Sequence, residues 1–373
     1  MTSTRVAPIH LVLVGAGHAH LAVIASAARL RAAGVHPVLI APATFDYSGL
    51  ATGVLSGALS TGSARIDIAT LTRKHDVPHT VAEVIGIDRP ARILALENGS
   101  QAAYDVVSFN IGSTVEAPQD WIGRDGVWPV KPLSSLFALR AALEAHMAAG
   151  STPPAIVVAG DGPTGFEIAA ALTGLHQRHG CAVNLTLTGP KADARWAPGS
   201  AGHSMTRSLD RRGVKRVLAQ VVAHEPGHVS LSDGQTLACD HLVLATGLRA
   251  SILTQTLDLP LDDRGRIKVA PILCSIADNR VFAAGDCATI KGDPRPFAGV
   301  FGVRAADVLI DNLCALGTGT KPRPYRPQKH WLSIMDLGDD TGLAMRDGLW
   351  WQGRLALALK RRLDLGFVAR SRT

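Results

Sequence analysis

Residues 155–167 read AIVVAGDGPTGFE, and this stretch decides the fold. Ala155 to Ala159 is a short apolar β-run, Gly160-Asp161-Gly162-Pro163-Thr164-Gly165 is a Gly-rich turn, and a helix is expected from Phe166 to His179, with Gly180 to stop it. Ala182 to Leu187 supplies the next strand and completes a βαβ unit. The turn carries all three glycines of GxGxxG. The first makes the turn, the second lets a pyrophosphate approach the backbone, and the third lets helix pack on strand. The helix start offers free N–H groups and a positive dipole end to the phosphates. The alternative is a turn kept only for packing.

The same grammar stands 145 residues earlier. His10 to Val14 is a strand, Gly15-Ala16-Gly17-His18-Ala19-His20 the turn, Ala19 to Ala33 a helix ended by Gly34, and His36 to Ile40 the second strand. Here His20 stands in the place of the third glycine. It is either a satisfied, partly buried histidine or a group that projects towards a ligand. His18 and His20 do not signal a metal, being two residues apart at a strand–helix turn with no Cys or acid nearby in sequence.

Two Gly-rich starts in one chain imply an α/β protein with two Rossmann-like dinucleotide-binding domains, the first discontinuous, and a small C-terminal region. Val106 to Ile111 runs into Gly112-Ser113, and His241 to Ala245 runs into Thr246-Gly247; each reads as the last strand of its unit. Pro129 to Pro132 is a linker, and the next helix, Ser134 to Ala149, is expected to start with a Ser cap. The Pro-rich run Lys321 to Pro327 marks the last boundary. The expected domains are 1–120 with 247–322 for FAD, 121–246 for NAD(P), and 323–373 as a membrane, dimer or acceptor region.

Neither unit has an acid after its second strand to grip a ribose hydroxyl: Ile40 runs into Ala41-Pro42, and Leu187 into Thr188-Gly189-Pro190. NADH against NADPH is left open, since Lys191 and Arg195 either meet a 2′-phosphate or are surface charge. Asp286 closes the apolar run Val281-Phe282-Ala283-Ala284-Gly285, where a carboxylate is costly unless hydrogen-bonded or solvated at a ligand site. A sugar-like chain of hydroxyls would satisfy it; a cap on the following helix is the alternative.

The 373 residues are 47% hydrophobic and 18% charged, which excludes a disordered or fibrous chain. The run Leu11 to Leu30 is broken by Gly15, Gly17, His18, His20 and Arg29, so it is neither a membrane span nor a signal peptide, and a cytoplasmic protein is expected. Cys181, Cys239, Cys274, Cys287 and Cys314 form no CxxC or CxxxxC pair and read as free thiols. Of the net charge of +7, the last thirty residues carry +5, mixed with Trp350, Trp351 and Phe367. This tail suggests contact with an anionic membrane at the inner face, with a dimer-forming or core-covering helix as the alternative. No nucleic-acid partner is expected.

The order GAGHAH, IGS (111–113), GDGPTGFE (160–167), ATG (245–247) and AAGDCA (283–288) resembles the pyridine nucleotide–disulfide oxidoreductase superfamily over about residues 8 to 320. Within it the chain is similar to the type II NADH dehydrogenase and sulfide:quinone oxidoreductase branch, and especially to the flavoprotein module fused to selenide-water dikinase, through Tyr47-Ser48-Gly49, Pro129-Val130-Lys131-Pro132 and Ala298-Gly299-Val300-Phe301.

The resemblance implies that Gly15 and Gly17, with His18, His20, Gly112 and Gly285 around them, serve FAD, and that Asp286 holds its ribityl chain. It implies that Gly160, Gly162, Thr164 and Gly165 serve the pyridine nucleotide. Glu167 matches a Glu placed where nicotinamide meets flavin, and Lys131 is either a flavin neighbour or a surface linker residue; these two are the catalytic candidates. The implied function is a FAD-dependent NAD(P)H oxidoreductase passing hydride to flavin and electrons to a small-molecule acceptor, a quinone first. The alternatives are a sulfide- or selenium-compound-oxidising flavoenzyme and a non-catalytic flavin-binding redox module. Absent redox cysteines argue against disulfide reductase activity.

Overall fold

The computed structural model describes residues 7–150, 152–191, 194 and 196–372. In chain order, the elements that position the site begin with β1 (Ile9–Val14), α1 (His18–Ala25), β2 (Val35–Ile40), β3 (His79–Thr80) and β4 (Val106–Phe109). The chain then crosses to β5 (Val127–Pro129), α2 (Leu133–Ala148), β6 (Ala155–Ala159), α3 (Pro163–Arg178), β7 (Asn184–Thr188), α4 (Gly199–Arg211), β8 (Lys215–Val217) and β9 (His241–Leu244). It returns with β10 (Val281–Ala283) and α5 (Gly299–Thr318), and ends in β11 (Ser333–Asp336), β12 (Gly342–Arg346), β13 (Leu349–Gly353) and α6 (Arg354–Arg372).

Two five-stranded parallel sheets result, in the orders β10-β4-β1-β2-β3 and β5-β9-β6-β7-β8. Leu11 to Val14 and Ile156 to Ala159 are buried residue after residue, as expected of central strands covered on both faces. Each unit also carries a three-stranded antiparallel sheet, 84–103 just before β4 in the first and 221–239 just before β9 in the second. Where the chain leaves the first sheet and where it comes back, Ser113–Val115 and Leu248–Ala250 pair antiparallel, so the two crossings lie side by side.

Three local expectations change. The first helix is not continuous to Ala33; it ends at Ala25 and a second short helix, Ala27–Ala32, follows a break at Ser26, before Gly34 at φ +81° ends the pair. The helix expected to be capped by Ser134 starts at Leu133 with Pro132 in the cap position, so Ser134 lies in its first turn and caps nothing. Trp350 and Trp351 lie on strand β13, not on the terminal helix.

Within the C-terminal region, β11, β12 and β13 form an antiparallel sheet on which α6 lies, burying Ala356, Leu357 and Val368. Part of the tail's charge is used internally: Lys360 pairs with Asp364 at 2.9 Å, Arg361 lies 3.6 Å from Asp340, and Arg372 Nε donates to the carbonyl of Arg65 at 3.1 Å. Trp350 Nε1 donates to Ser200 Oγ on α4 at 2.9 Å. Leu349, Trp351 and Leu355 stay in solvent, 75%, 43% and 82% exposed. Among the described residues no helix is long and apolar enough to cross a membrane.

Candidate active site

The two Gly-rich turns are built differently. In the second, a side chain on Gly160 would collide with the carbonyl of Ala245, and one on Gly165 with the carbonyl of Gly160; Gly160 also sits at φ +125°. These two glycines are fixed by the approach of β9 to the turn and of α3 to β6. Beside Gly162, by contrast, there is open space. Pro163 starts α3, where its missing N–H costs nothing, and no side chain caps the helix. An uncapped helix start beside an open glycine face is a cradle of the kind that takes a pyrophosphate. Thr164 is exposed at that start.

In the first turn the corresponding space is filled. Asn110, which follows β4, accepts at its side-chain oxygen from the N–H groups of Ala19 at 2.9 Å and His20 at 3.2 Å, and its carbonyl accepts from Gly17 N at 3.0 Å. A Cβ on Gly17 would stand 2.5 Å from that side-chain oxygen. Asn110 Nδ2 donates in turn to the carbonyl of Ala284 at 2.6 Å, tying the turn after β1 to the ends of β4 and β10. Asn110 is 3% exposed and was not among the sequence candidates. The only signal for it is a polar residue straight after the strand Val106–Phe109.

His20 lies wholly beneath this turn, at 0% exposure. Its Nδ1 stands 2.6 Å from the carbonyl of Gly15 and its Nε2 2.9 Å from Ser108 Oγ. A carbonyl only accepts, so the proton is on Nδ1 and Nε2 accepts from the serine hydroxyl. Burial lowers its pKa to about 4, against the pull of the Gly15 carbonyl, and the ring is neutral. Both nitrogens are thus spent on protein atoms. This favours the packing reading of His20, and it explains why Ser108 is tolerated in a central strand.

His18 points the other way. Its ring stands 5.3 Å from Phe45, 5.4 Å from Tyr47 and 5.6 Å from Phe367, and a Cβ on Gly299 at the start of α5 would be 3.3 Å from it. Burial lowers its pKa to about 4; Asp286 opposes the shift and Lys131 adds to it. Those two residues form an ion pair: Lys131 Nζ donates to Asp286 Oδ2 at 2.8 Å and to Ser113 Oγ at 2.7 Å, and Ser113 Oγ donates to Asp286 Oδ2 at 2.7 Å. Burial alone would raise the pKa of Asp286, but Lys131 and Ser113 hold it below the usual carboxylate range. Lys131 is thus half-buried in an ion pair, not a free surface lysine, and Asp286 sits inside the short turn Gly285–Cys287 with its carboxylate on Lys131 and Ser113 and not on a helix start. Gly285, at φ +74°, turns the chain between β10 and Asp286, with Asn110 against it. Gly112, at φ +76°, faces open space beside the same pair.

Glu167 belongs to a second group. From the first turns of α3 its Oε1 accepts from Thr52 Oγ1 at 3.1 Å and from the backbone N–H of Asp336 at 2.9 Å. Burial raises its pKa, although Lys360 of α6 and the Asp336 N–H work against the rise. Lys360 donates to Asp364 at 2.9 Å and to the carbonyl of Gly49 at 2.7 Å; burial would lower its pKa, but Glu167 and Asp364 together raise it. Asp364 Oδ1 accepts from Tyr47 OH at 2.9 Å, and Tyr47 stacks on Phe367 at 4.7 Å. Glu167 and Lys131 are thus not in contact. They stand in two groups linked through His18, Tyr47, Asp364 and Lys360, with α6 supplying the middle of the link. None of the α6 residues was a sequence candidate.

Lys191 is exposed at the loop after β7, and Arg195 lies outside the described residues. The five cysteines are unpaired; Cys287, next to Asp286, is buried with its pKa pushed up to about 12, mainly by burial.

The protein-family model described as pyridine nucleotide-disulphide oxidoreductase matches residues 9–304. An NADH dehydrogenase-like protein of Mycobacterium tuberculosis is 31% identical over 241 residues, 62% of this chain and 60% of that protein, so the match spans about three fifths of the relative. A mitochondrial internal alternative NAD(P)H-ubiquinone oxidoreductase of Arabidopsis thaliana is 30% identical over 139 residues, 35% of this chain and 27% of its own. Among solved structures, the sulfide:quinone oxidoreductase of the hyperthermophilic bacterium Aquifex aeolicus superposes with a TM-score of 0.76 at 16% identity, covering 98% of this chain and 91% of that one. A putidaredoxin reductase, in covalent complex with putidaredoxin, does so at 0.72 and 20% identity, covering 91% and 82%. At these identities the structural likeness is one of fold.

Proposed function

The chain belongs to the pyridine nucleotide-disulphide oxidoreductase family, and from that premise we propose that it is a FAD-dependent NAD(P)H oxidoreductase whose electrons go to a quinone-type acceptor. FAD and NAD(P)H are the cofactors this family assignment carries. The observation that carries the reading is the combination of two Gly-rich strand–turn–helix units in one chain with the half-buried Lys131–Asp286–Ser113 group at the end of the first sheet.

On this reading residues 1–120 with 247–322 hold FAD, 121–246 hold the nicotinamide nucleotide, and 323–373 form the acceptor side. Gly15, Gly17, Gly112 and Gly285 keep backbone close to FAD, and Asp286, kept ionised by Lys131, accepts from hydroxyls of its sugar-like chain. Gly160 and Gly165 hold α3 against its sheet, while the open face at Gly162 and the uncapped N–H groups at Thr164 receive the second pyrophosphate. Bound FAD supplies the redox chemistry, taking hydride from the nicotinamide and passing electrons onward. Asn110 and His20 fix the shape of the first turn and do not touch the cofactor.

Quinone as acceptor is supported by the names of the relatives and by Glu167, a carboxyl whose pKa burial raises, facing the C-terminal region. Such a group can deliver a proton where an acceptor is reduced. The exposed Leu349, Trp351 and Leu355 beside Arg354 and Arg362 suit peripheral contact with an anionic membrane. The test is NADH-dependent reduction of a short-chain quinone by the FAD-loaded protein, with co-sedimentation on vesicles containing phosphatidylglycerol. Quinone turnover and binding to those vesicles are expected. Turnover only with a small electron-carrier protein would replace the quinone, as a 24% identical rubredoxin-NAD(+) reductase relative suggests.

A further inference from the structure

Lys360 of α6 stands beside two carboxylates and hydrogen-bonds only one of them. Its Nζ donates to Asp364 Oδ2, one turn on in the helix, at 2.9 Å and to the carbonyl of Gly49 at 2.7 Å. Glu167, the other carboxylate, draws its donors from Thr52 Oγ1 and the backbone N–H of Asp336, and none from Lys360. The two are still close enough to affect each other: Lys360 opposes the rise that burial gives the pKa of Glu167, and Glu167 is the strongest charge keeping Lys360 protonated. Asp364 is itself held in place. Its Oδ1 accepts from Tyr47 OH at 2.9 Å, and a Cβ on Gly49 would stand 2.8 Å from that oxygen and 2.5 Å from Tyr47 Cε1. Any side chain at 49 would displace this pair. The side chains of Lys360 and Asp364 are 13% and 14% exposed, so water competes little for the ammonium.

We infer that Asp364 is a positioning residue, which holds the Lys360 ammonium against Gly49 and back from Glu167 and so leaves the Glu167 carboxyl able to carry a proton. The inference rests on the proton-delivering role proposed for Glu167 above. Released from Asp364, the long arm of Lys360 would turn to Glu167, and an ammonium in direct contact holds a carboxyl in its charged form. The other charged groups facing this cluster are Asp336 of β11, which itself faces Arg361 and Asp339, and Arg370, which faces Tyr47. None of these side chains hydrogen-bonds Lys360 or the Glu167 carboxyl; Asp336 Oδ1 is taken by the N–H of Gly338.

The test follows the Glu167 carboxyl by infrared spectroscopy of the FAD-loaded protein across pH, its protonated C=O band being the one that Glu167→Gln removes. In the natural protein that band should persist above the ordinary glutamate midpoint of about 4.3. Asp364→Asn keeps an oxygen for Tyr47 OH but frees Lys360; it should lower the midpoint by about one pH unit, a tenfold loss of proton affinity. K360M/D364N removes the cation as well and should bring the midpoint above the natural value. Turnover with quinone should follow the same order of pH profiles, whereas a merely structural loss would lower it equally at every pH. An ordinary or lowered midpoint in the natural protein would overturn the inference, and this measurement decides alone should Asp364→Asn fail to fold. So would a midpoint that Asp364→Asn leaves in place, or a fall that persists in K360M/D364N. The infrared midpoints need no electron transfer, so the expected order without quinone turnover would uphold Asp364 and sink the quinone reading.

Discussion

The imidazole of His20 donates through Nδ1 to the carbonyl oxygen of Gly15 at 2.6 Å, so the residue that breaks the Gly-rich pattern of the first turn also braces that turn. The missing third glycine normally lets a helix sit close to its strand. Here an imidazole fills that interval, and Ser108 in the neighbouring strand satisfies its other nitrogen.

This brace has a pH signature. The pKa of His20 falls from an ordinary 6.5 to about 4 in the folded chain. Between those values the unfolded state binds the extra proton, so stability rises with pH across the window and is lost as pH falls from 6.5 to 4. The loss from this one group is about 3 kcal/mol at pH 4. Thermal melts from pH 7 to 4 should show it, and His20→Gln should flatten the slope. An unchanged slope in the variant would mean that His20 titrates normally.

Asp286→Ala leaves Lys131 without its carboxylate and takes away the acceptor for the FAD hydroxyl chain. We expect loss of roughly 2 kcal/mol of FAD binding, or about thirtyfold in affinity, with secondary structure intact. Flavin absorbance after gel filtration, alongside circular dichroism, measures both. Full retention of FAD would remove Asp286 from the site.

Gly165→Ala forces a methyl group into the carbonyl of Gly160. The clash lies in the second unit alone. Nucleotide binding should fall by at least about tenfold, as expected when a close backbone approach is lost, while FAD content stays at the natural level. Simultaneous loss of FAD would show that the two units are not separate binding sites.

Glu167→Gln keeps an oxygen for Thr52 and for the Asp336 N–H, so the fold should survive. Turnover with quinone should drop about a hundredfold, the usual contribution of a placed proton donor. Steady-state rates with the quinone, compared with a pure electron acceptor that takes no proton, distinguish proton delivery from electron transfer. An equal fall with both acceptors would contradict the role given to Glu167.

Much of the two sheets could be read in the sequence because their central strands are continuous apolar runs punctuated by glycine, and both turns follow such runs. The strand Ala155–Ala159 appears with the expected bounds, and the first helix, by contrast, breaks at Ser26, where no Gly or Pro announces it. Lys131 and Asp286 were legible one by one, but not as a pair, because 155 residues separate them. Asn110 and Ser108 were missed since a single polar residue near a strand end carries no periodic signal. The part played by α6 was hidden for another reason: Lys360, Asp364 and Phe367 look like an ordinary basic, mixed helix until the fold sets them against Tyr47 and His18.

The most direct measurement is an anaerobic titration of the purified, FAD-loaded protein with NADH, followed by the flavin's visible absorbance. Stoichiometric FAD bleached by one equivalent of NADH is the expected result. Protein that cannot be loaded with FAD, or FAD that stays oxidised with excess NADH and NADPH alike, would contradict the proposed oxidoreductase.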